Sequence, residues 1–271
     1  MPNLQQIIAL RRKYAPLLQE ISDSFNIQTK ELGDYLEFQE LEKAFSVEHI
    51  QPLFEHVPKN KFFAITAKKQ TSNIVDYFEK QEKVHVVLLF IDITHFSSKT
   101  NSDSPQEVTE RLDNYYRELM PIIYKHGGEI EKIMGDGIIC IFGKPFLNFS
   151  DYKIKYRKAE ECAREIINHF KNSPNEVKIA LHDGPVIYYK TPTEYYEEYT
   201  MIGNTLTELY RLESVSMPNS INYYANSYYS RLKGKKPLGL VINNASCWTH
   251  SCREYALQGI GKRVVRILKR I

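Results

Sequence analysis

The chain has 271 residues, 42% hydrophobic and 25% charged, a balance that fits a folded domain and excludes a disordered or fibrous chain. Its net charge of +3 is too small to call for a nucleic-acid partner. No apolar run approaches the roughly 18 residues that span a bilayer. The opening MPNLQQIIALRRKY lacks the order of a secretory leader, so a cytoplasmic protein is expected.

Residues 1–82 carry a broken helical stripe, Leu4, Ile7, Ile8, Tyr14, Leu17, Leu18 and Ile21, and are expected to form a helical extension packed on the main domain or on a partner. Residues 83–271 form the main domain, where strands and helices alternate. The run 84–91 is apolar on both faces, as a covered central strand should be. Ser104-Pro105-Gln106-Glu107 is a capping box with proline at the first helical position, opening a helix to about Tyr124. Strands over 129–133 and 137–142 are expected to join tightly at Gly135-Asp136. A helix over 152–172 follows, then strands 177–182 and 185–190 meeting in a turn at Asp183-Gly184. An acidic, tyrosine-rich loop covers 191–198, and a helix 204–214. The remainder is expected to give a strand at 220–224, a helix at 226–232 and closing strands at 255–259 and 264–269, the last of them, in KRVVRILKRI, with a charged edge.

Cys140 and Cys162 fall in apolar patterns and read as buried free thiols. Cys247 and Cys252 form no CxxC pair and have no second ligand pair, so neither a disulfide nor zinc is expected.

Asp92 ends a hydrophobic strand and Asp136 sits in the turn of another pair. A carboxylate there must be solvated or matched by a cation, and two brought together repel unless a metal lies between them. That combination points to phosphate chemistry through Mg²⁺ or Mn²⁺.

Four segments, FIDITHFS (90–97), EKIMGDGIICIFG (131–143), ALHDGPVIYY (180–189) and IGNTLTELYRLE (202–213), stand in an order and spacing that resembles the class III nucleotidyl cyclases, the adenylate and guanylate cyclase family. The resemblance implies an α+β catalytic domain of ferredoxin-like βαββαβ type with a mostly antiparallel central sheet. It implies that Asp92, the carbonyl of Ile93 and Asp136 hold two Mg²⁺ or Mn²⁺ ions. It further implies that Lys132, Thr200 and Phe96 contact the nucleotide, that Thr207 orients the ribose, and that Arg211 neutralises charge on the α-phosphate. In the family each site is shared across a head-to-tail homodimer, with the metal residues from one chain and Lys132, Thr200, Thr207 and Arg211 from the other.

Two positions depart from the family. Thr207 stands where an asparagine is usual, and Gln258 where a lysine for the terminal phosphates is expected, with Lys262 or Arg263 as substitutes. Lys132 with Thr200 suits an adenylate cyclase using ATP. The departures and the compact architecture favour instead the bacterial pyrimidine cyclases of anti-phage signalling, which make cyclic UMP or cyclic CMP from UTP or CTP. A catalytically silent cyclase-fold protein is the reading from another class. The run His126-Gly127-Gly128-Glu129-Ile130 is near the diguanylate cyclase signature but lacks its final Phe. His182-Asp183-Gly184 is expected to be a structural turn, because neighbouring strand residues point to opposite faces.

Overall fold

A computed structural model describes residues 74–147, 152–191, 199–233 and 248–270. The expected helical stripe of residues 4–21, the loop 192–198 and Cys247 lie outside them. In chain order the elements are β1 (Lys83–Ile93), α1 (Phe96–Lys99), α2 (Pro105–Lys125), β2 (Glu129–Met134), β3 (Gly137–Phe142), α3 (Ile154–Phe170), β4 (Val177–Lys190), β5 (Tyr199–Ile202), α4 (Asn204–Glu213), β6 (Ser220–Tyr224), α5 (Tyr228–Lys233), β7 (Trp248–Leu257) and β8 (Gly261–Arg270).

The strands form one sheet in the order β2-β3-β1-β4-β6-β8-β7, with β5 paired to β4. The segment from β1 to β4 is the expected βαββαβ unit, with β1 antiparallel to β3 and β4. The β4–β6 pair is parallel. The α+β architecture and the mostly antiparallel sheet are as expected.

β1 is covered on both sides because its two sets of side chains feed two cores. Val87, Leu89, Ile91 and Ile93 face the core under α2 and α3. Val86, Leu88 and Phe90 face the core that receives Leu209 and Leu212 of α4. α3 places Ala159, Cys162, Ala163, Ile166, Ile167 and Phe170 on one buried stripe, the three-and-four spacing of a single helix face. α2 starts as the sequence requires: Glu107 N–H donates to Ser104 Oγ at 3.3 Å, and Ser104 N–H to Glu107 Oε2 at 2.7 Å. Cys140 and Cys162 are buried free thiols. The end of the expected extension packs on the main domain: residues 74–79 are helical, and buried Phe78 meets the rings of Tyr188 and Tyr199 edge-on at 4.9 and 5.1 Å.

Three expectations are corrected. β4 runs unbroken through Asp183-Gly184, so there is no turn there. Gly184 serves a close approach instead: a Cβ on it would stand 2.5 Å from Thr205 Oγ1 of α4. β7 begins at Trp248, well before the expected 255, and Gln258-Gly259-Ile260 is the turn into β8. Finally, β8 is not an edge strand; it lies between β6 and β7, and β7 takes the edge.

Candidate active site

The hairpin β2–β3 folds its turn over the end of β1. Tyr116 of α2 donates its hydroxyl to the Gly135 carbonyl and pins that turn. Gly137 lets the hairpin close, since a Cβ there would meet the Phe90 ring at 2.8 Å and Asp92 Oδ1 at 3.4 Å. Asp92 and Asp136 are thereby brought together. The N–H groups of Ile93 and Asp136 donate to the Asp136 carboxylate, so the Ile93 backbone adjoins both aspartates.

Burial pushes both carboxyls above the usual range. Asp92 reaches about 6, with the Asp136 charge adding to the effect of burial. Holding Asp92 ionised at neutral pH therefore works against the cation-free fold. A bound cation removes that penalty.

One cation is already present. Lys178 lies directly across the β1–β4 ladder from Asp92. Its Nζ is 3.4 Å from Asp92 Oδ2 and 2.6 Å from Glu213 Oε1 at the end of α4. Burial works against the ammonium, but Glu213 and Asp92 outweigh it and raise its pKa. Sequence reasoning missed Lys178 and Glu213, because only the cross-strand register places them beside Asp92.

The donor set suits Mg²⁺ or Mn²⁺. Among the described residues no group of three or more His, Cys, Asp or Glu side chains is placed to hold a metal. Two carboxylates with a main-chain oxygen are what a hard ion needs when substrate phosphates supply the rest.

The other expected residues lie apart from this pair. Lys132 is reached through a β-bulge between Ile130 and Lys132. The bulge sets Ile130 opposite Cys140 in the α2–α3 core but Lys132 opposite Ile139, on the α4 side. The intervening Glu131 is buried and accepts from the Thr200 hydroxyl at 3.3 Å. Lys132 and Thr200 therefore share a neighbourhood, bridged by a residue the sequence reading did not single out. Thr207 is exposed and Arg211 half-buried on α4. Among the described residues, no hydrogen bond or ion pair engages the side chains of Lys132, Thr207 or Arg211, and none links them to Asp92 or Asp136. Phe96 is half-buried against the α2–α3 core.

A sequence model of the adenylate and guanylate cyclase catalytic domain matches residues 78–259, more than half of the chain. The chain belongs to that family.

Among curated relatives, the receptor-type guanylate cyclase gcy-5 of Caenorhabditis elegans is 26% identical over 148 residues, 51% of this chain but 13% of the relative. The uncharacterized protein Rv1318c of Mycobacterium tuberculosis is 27% identical over 190 residues, 66% of this chain and 33% of the relative. The matched region is thus a minor part of each relative's length. The solved guanylyl cyclase Cya2 has a TM-score of 0.54 at 22% identity, covering 69% of this chain and 93% of its own. The adenylyl cyclase CyaB from P. aeruginosa gives 0.57 at 20%, covering 70% and 96%. At these identities the structures support the cyclase fold alone.

Within the cyclase family's frame the two departures take a definite place. Gln258 is exposed at the tip of the β7–β8 turn. Of the two proposed stand-ins, Arg263 Nη2 is 3.8 Å from Glu208, and Lys262 is exposed with Nζ 3.6 Å from Glu254. No helix among the described residues is long and apolar enough to cross a membrane.

Lys178 already partners Asp92, so a cation proposed for that carboxylate would have to compete with it. Lys178→Met is expected to tighten Mn²⁺ binding by about tenfold, the worth of one partly exposed charge pair. Calorimetry or Mn²⁺ electron paramagnetic resonance on nucleotide-free protein would read it; an unchanged affinity would remove Lys178 from the site.

Proposed function

We propose that this chain is a nucleotide cyclase that converts a nucleoside triphosphate to a 3′,5′-cyclic nucleotide and pyrophosphate, working as a head-to-tail homodimer with two shared sites. The observation that carries this reading is the pairing of Asp92, at the end of β1, with Asp136, in the β2–β3 turn, both partly buried, in a chain of the cyclase family.

Asp92, Asp136 and the Ile93 carbonyl would hold two Mg²⁺ or Mn²⁺ ions. Bound there, the ions supply Lewis-acid activation of the ribose 3′-hydroxyl and neutralise the triphosphate. The chemistry is in-line attack of the 3′-oxygen on the α-phosphorus. That oxygen gives up its proton to solvent water, the bond from the α-phosphorus to the bridging oxygen breaks, and pyrophosphate leaves with the electron pair of that bond. From the partner chain, Arg211 meets the charge that builds on the α-phosphate, a task suited to a guanidinium fork. Thr207 orients the ribose, with a shorter reach than an asparagine. Lys132 and Thr200 read the base, and Phe96 borders the nucleotide.

Two features support sharing of the site across chains. The side chains of Lys132, Thr207 and Arg211 are unengaged among the described residues, as groups awaiting an outside anion should be. Beside them lies exposed apolar surface: Ile133, Ile202 and Tyr210 are 39%, 46% and 37% exposed, each within two residues of Lys132, Thr200 or Arg211. Exposed apolar side chains beside unengaged polar ones support an association face here.

For the base we favour UTP or CTP, on the departures at Thr207 and Gln258; the product would then be cyclic UMP or cyclic CMP, a second messenger of the anti-phage type. ATP is the second reading, favoured by the Thr200–Glu131 contact that keeps Thr200 beside Lys132. The test is purified protein with Mn²⁺ and each of ATP, GTP, CTP and UTP separately, products resolved by chromatography. A single cyclic pyrimidine nucleotide is expected. Cyclic AMP alone would transfer the assignment to adenylate cyclase, and no cyclic product from any of the four would leave a silent cyclase-fold protein.

A further inference from the structure

At the other end of β1, about 23 Å from Asp92 at 3.3 Å per residue, a cavity of about 230 Å³ opens between β1, β4, α4 and α5. At about 30 Å³ each it has room for roughly eight waters. Of the residues considered for the cyclisation centre, only Arg263, a candidate stand-in for the lysine missing at Gln258, lines it.

Its walls combine three chemistries. The first is a pair of carboxylates. Asp183, with its side chain 1% exposed, receives one N–H, from Tyr229 at 3.0 Å, and faces His85 Nε2 at 3.6 Å. Glu208 holds His182 Nε2 at 2.9 Å. The His182 side chain is 7% exposed, and its buried Nδ1 has no hydrogen-bond partner among the described residues. Buried polar atoms with so few partners are costly unless a ligand or water completes them.

The second chemistry is cationic. The Arg231 guanidinium makes no hydrogen bond or ion pair among the described residues and sits 5.5 Å from the Tyr228 ring centre. Arg263 reaches the cavity from β8, its Nη2 3.8 Å from Glu208. The third is aromatic: Tyr228 packs with His85 and Tyr156 at ring distances of 6.3 and 5.5 Å, and Tyr224 with His182 at 5.2 Å.

We propose that this cavity is a second nucleotide site, taking a planar nitrogen heterocycle that carries one phosphate. Ring N–H groups complete Asp183, the ring lies against Tyr228, and the phosphate meets Arg231, with Arg263 beside it. This chemistry is shared by a nucleoside monophosphate and by a cyclic product. Glu208 lies on α4 between Thr207 and Arg211, so a ligand here bears on the helix that presents both. The inference needs no turnover, so it stands or falls separately from the cyclase reading.

Calorimetry of the full chain in EDTA, with UMP and cyclic UMP as separate probes, tests it. Arg211→Ala should leave binding intact, while Arg231→Ala and Asp183→Asn should each weaken it at least about tenfold, the loss of one charge-assisted contact. Asn keeps the acceptor for the Tyr229 N–H; if that variant fails to fold, surface Arg231→Ala decides. Tighter binding of UMP or of cyclic UMP identifies the source. Loss in Arg211→Ala but not in Arg231→Ala would return the nucleotide to the cyclisation centre and overturn the second site. Inorganic phosphate or uridine binding as tightly as UMP, or no saturable binding of either nucleotide, would overturn it equally.

Discussion

Asp136→Ala is expected to lower turnover by about a thousandfold or more while the dimer and the fold persist. The reasoning starts from the turn. Asp136 sits on a hairpin whose closure depends on Gly137 against Phe90 and on the Tyr116 hydroxyl at Gly135, not on the aspartate side chain. Its carboxyl is half-buried and held above its ordinary pKa by burial, so the free protein gains little from it. Removing it takes away half of the carboxylate pair proposed to hold the cations, and charge stabilisation of several kcal/mol corresponds to three or more decades in rate. Product chromatography gives the rate, and size-exclusion chromatography with a thermal melt gives the assembly. A variant that still cycles at more than a tenth of the native rate would remove Asp136 from the metal site.

The second large effect is recovery by mixing. Asp136→Ala and Arg211→Ala subunits should each be nearly inactive alone. After mixing at equal amounts, half of the dimers pair one of each, and a shared-site arrangement gives each such dimer one site with all groups native. About a quarter of native activity should return, following from two-fold symmetry alone. No recovery, with subunit exchange shown by differently tagged chains, would place Asp136 and Arg211 in the same chain's site. Arg211 suits this test because its guanidinium has no ion pair among the described residues, so alanine leaves no buried carboxylate unmatched.

Much of the fold was legible in short stretches of sequence. The capping box Ser104–Glu107 starts α2 where expected, since both partners lie within one turn. The doubly apolar run of β1 announced a strand covered on both faces, and the Gly-Asp-Gly turn announced the hairpin that carries Asp136. Gly184 misled for a local reason: glycine after aspartate commonly marks a turn, whereas here it makes room for Thr205, twenty-one positions later. The end of the sheet misled likewise. A basic strand at the chain's end reads as an edge, but β7 closes the sheet outside it.

What the sequence by itself determined is the family and the candidate pair: two aspartates at strand mouths, set among motifs in family order, mark the place we propose for metal and phosphate. What only the tertiary structure decided is how those charges are kept while the site is free, and which side chains stand near. The β1–β4 register puts Lys178 across from Asp92 and ties it to Glu213, and the bulge at Glu131 turns Lys132 to the α4 side and ties β2 to Thr200. These are pairings between distant segments, and a shift of one residue in a strand would send each of those side chains to the opposite face. Local preference specifies strand and helix; only the packed sheet fixes which charges meet.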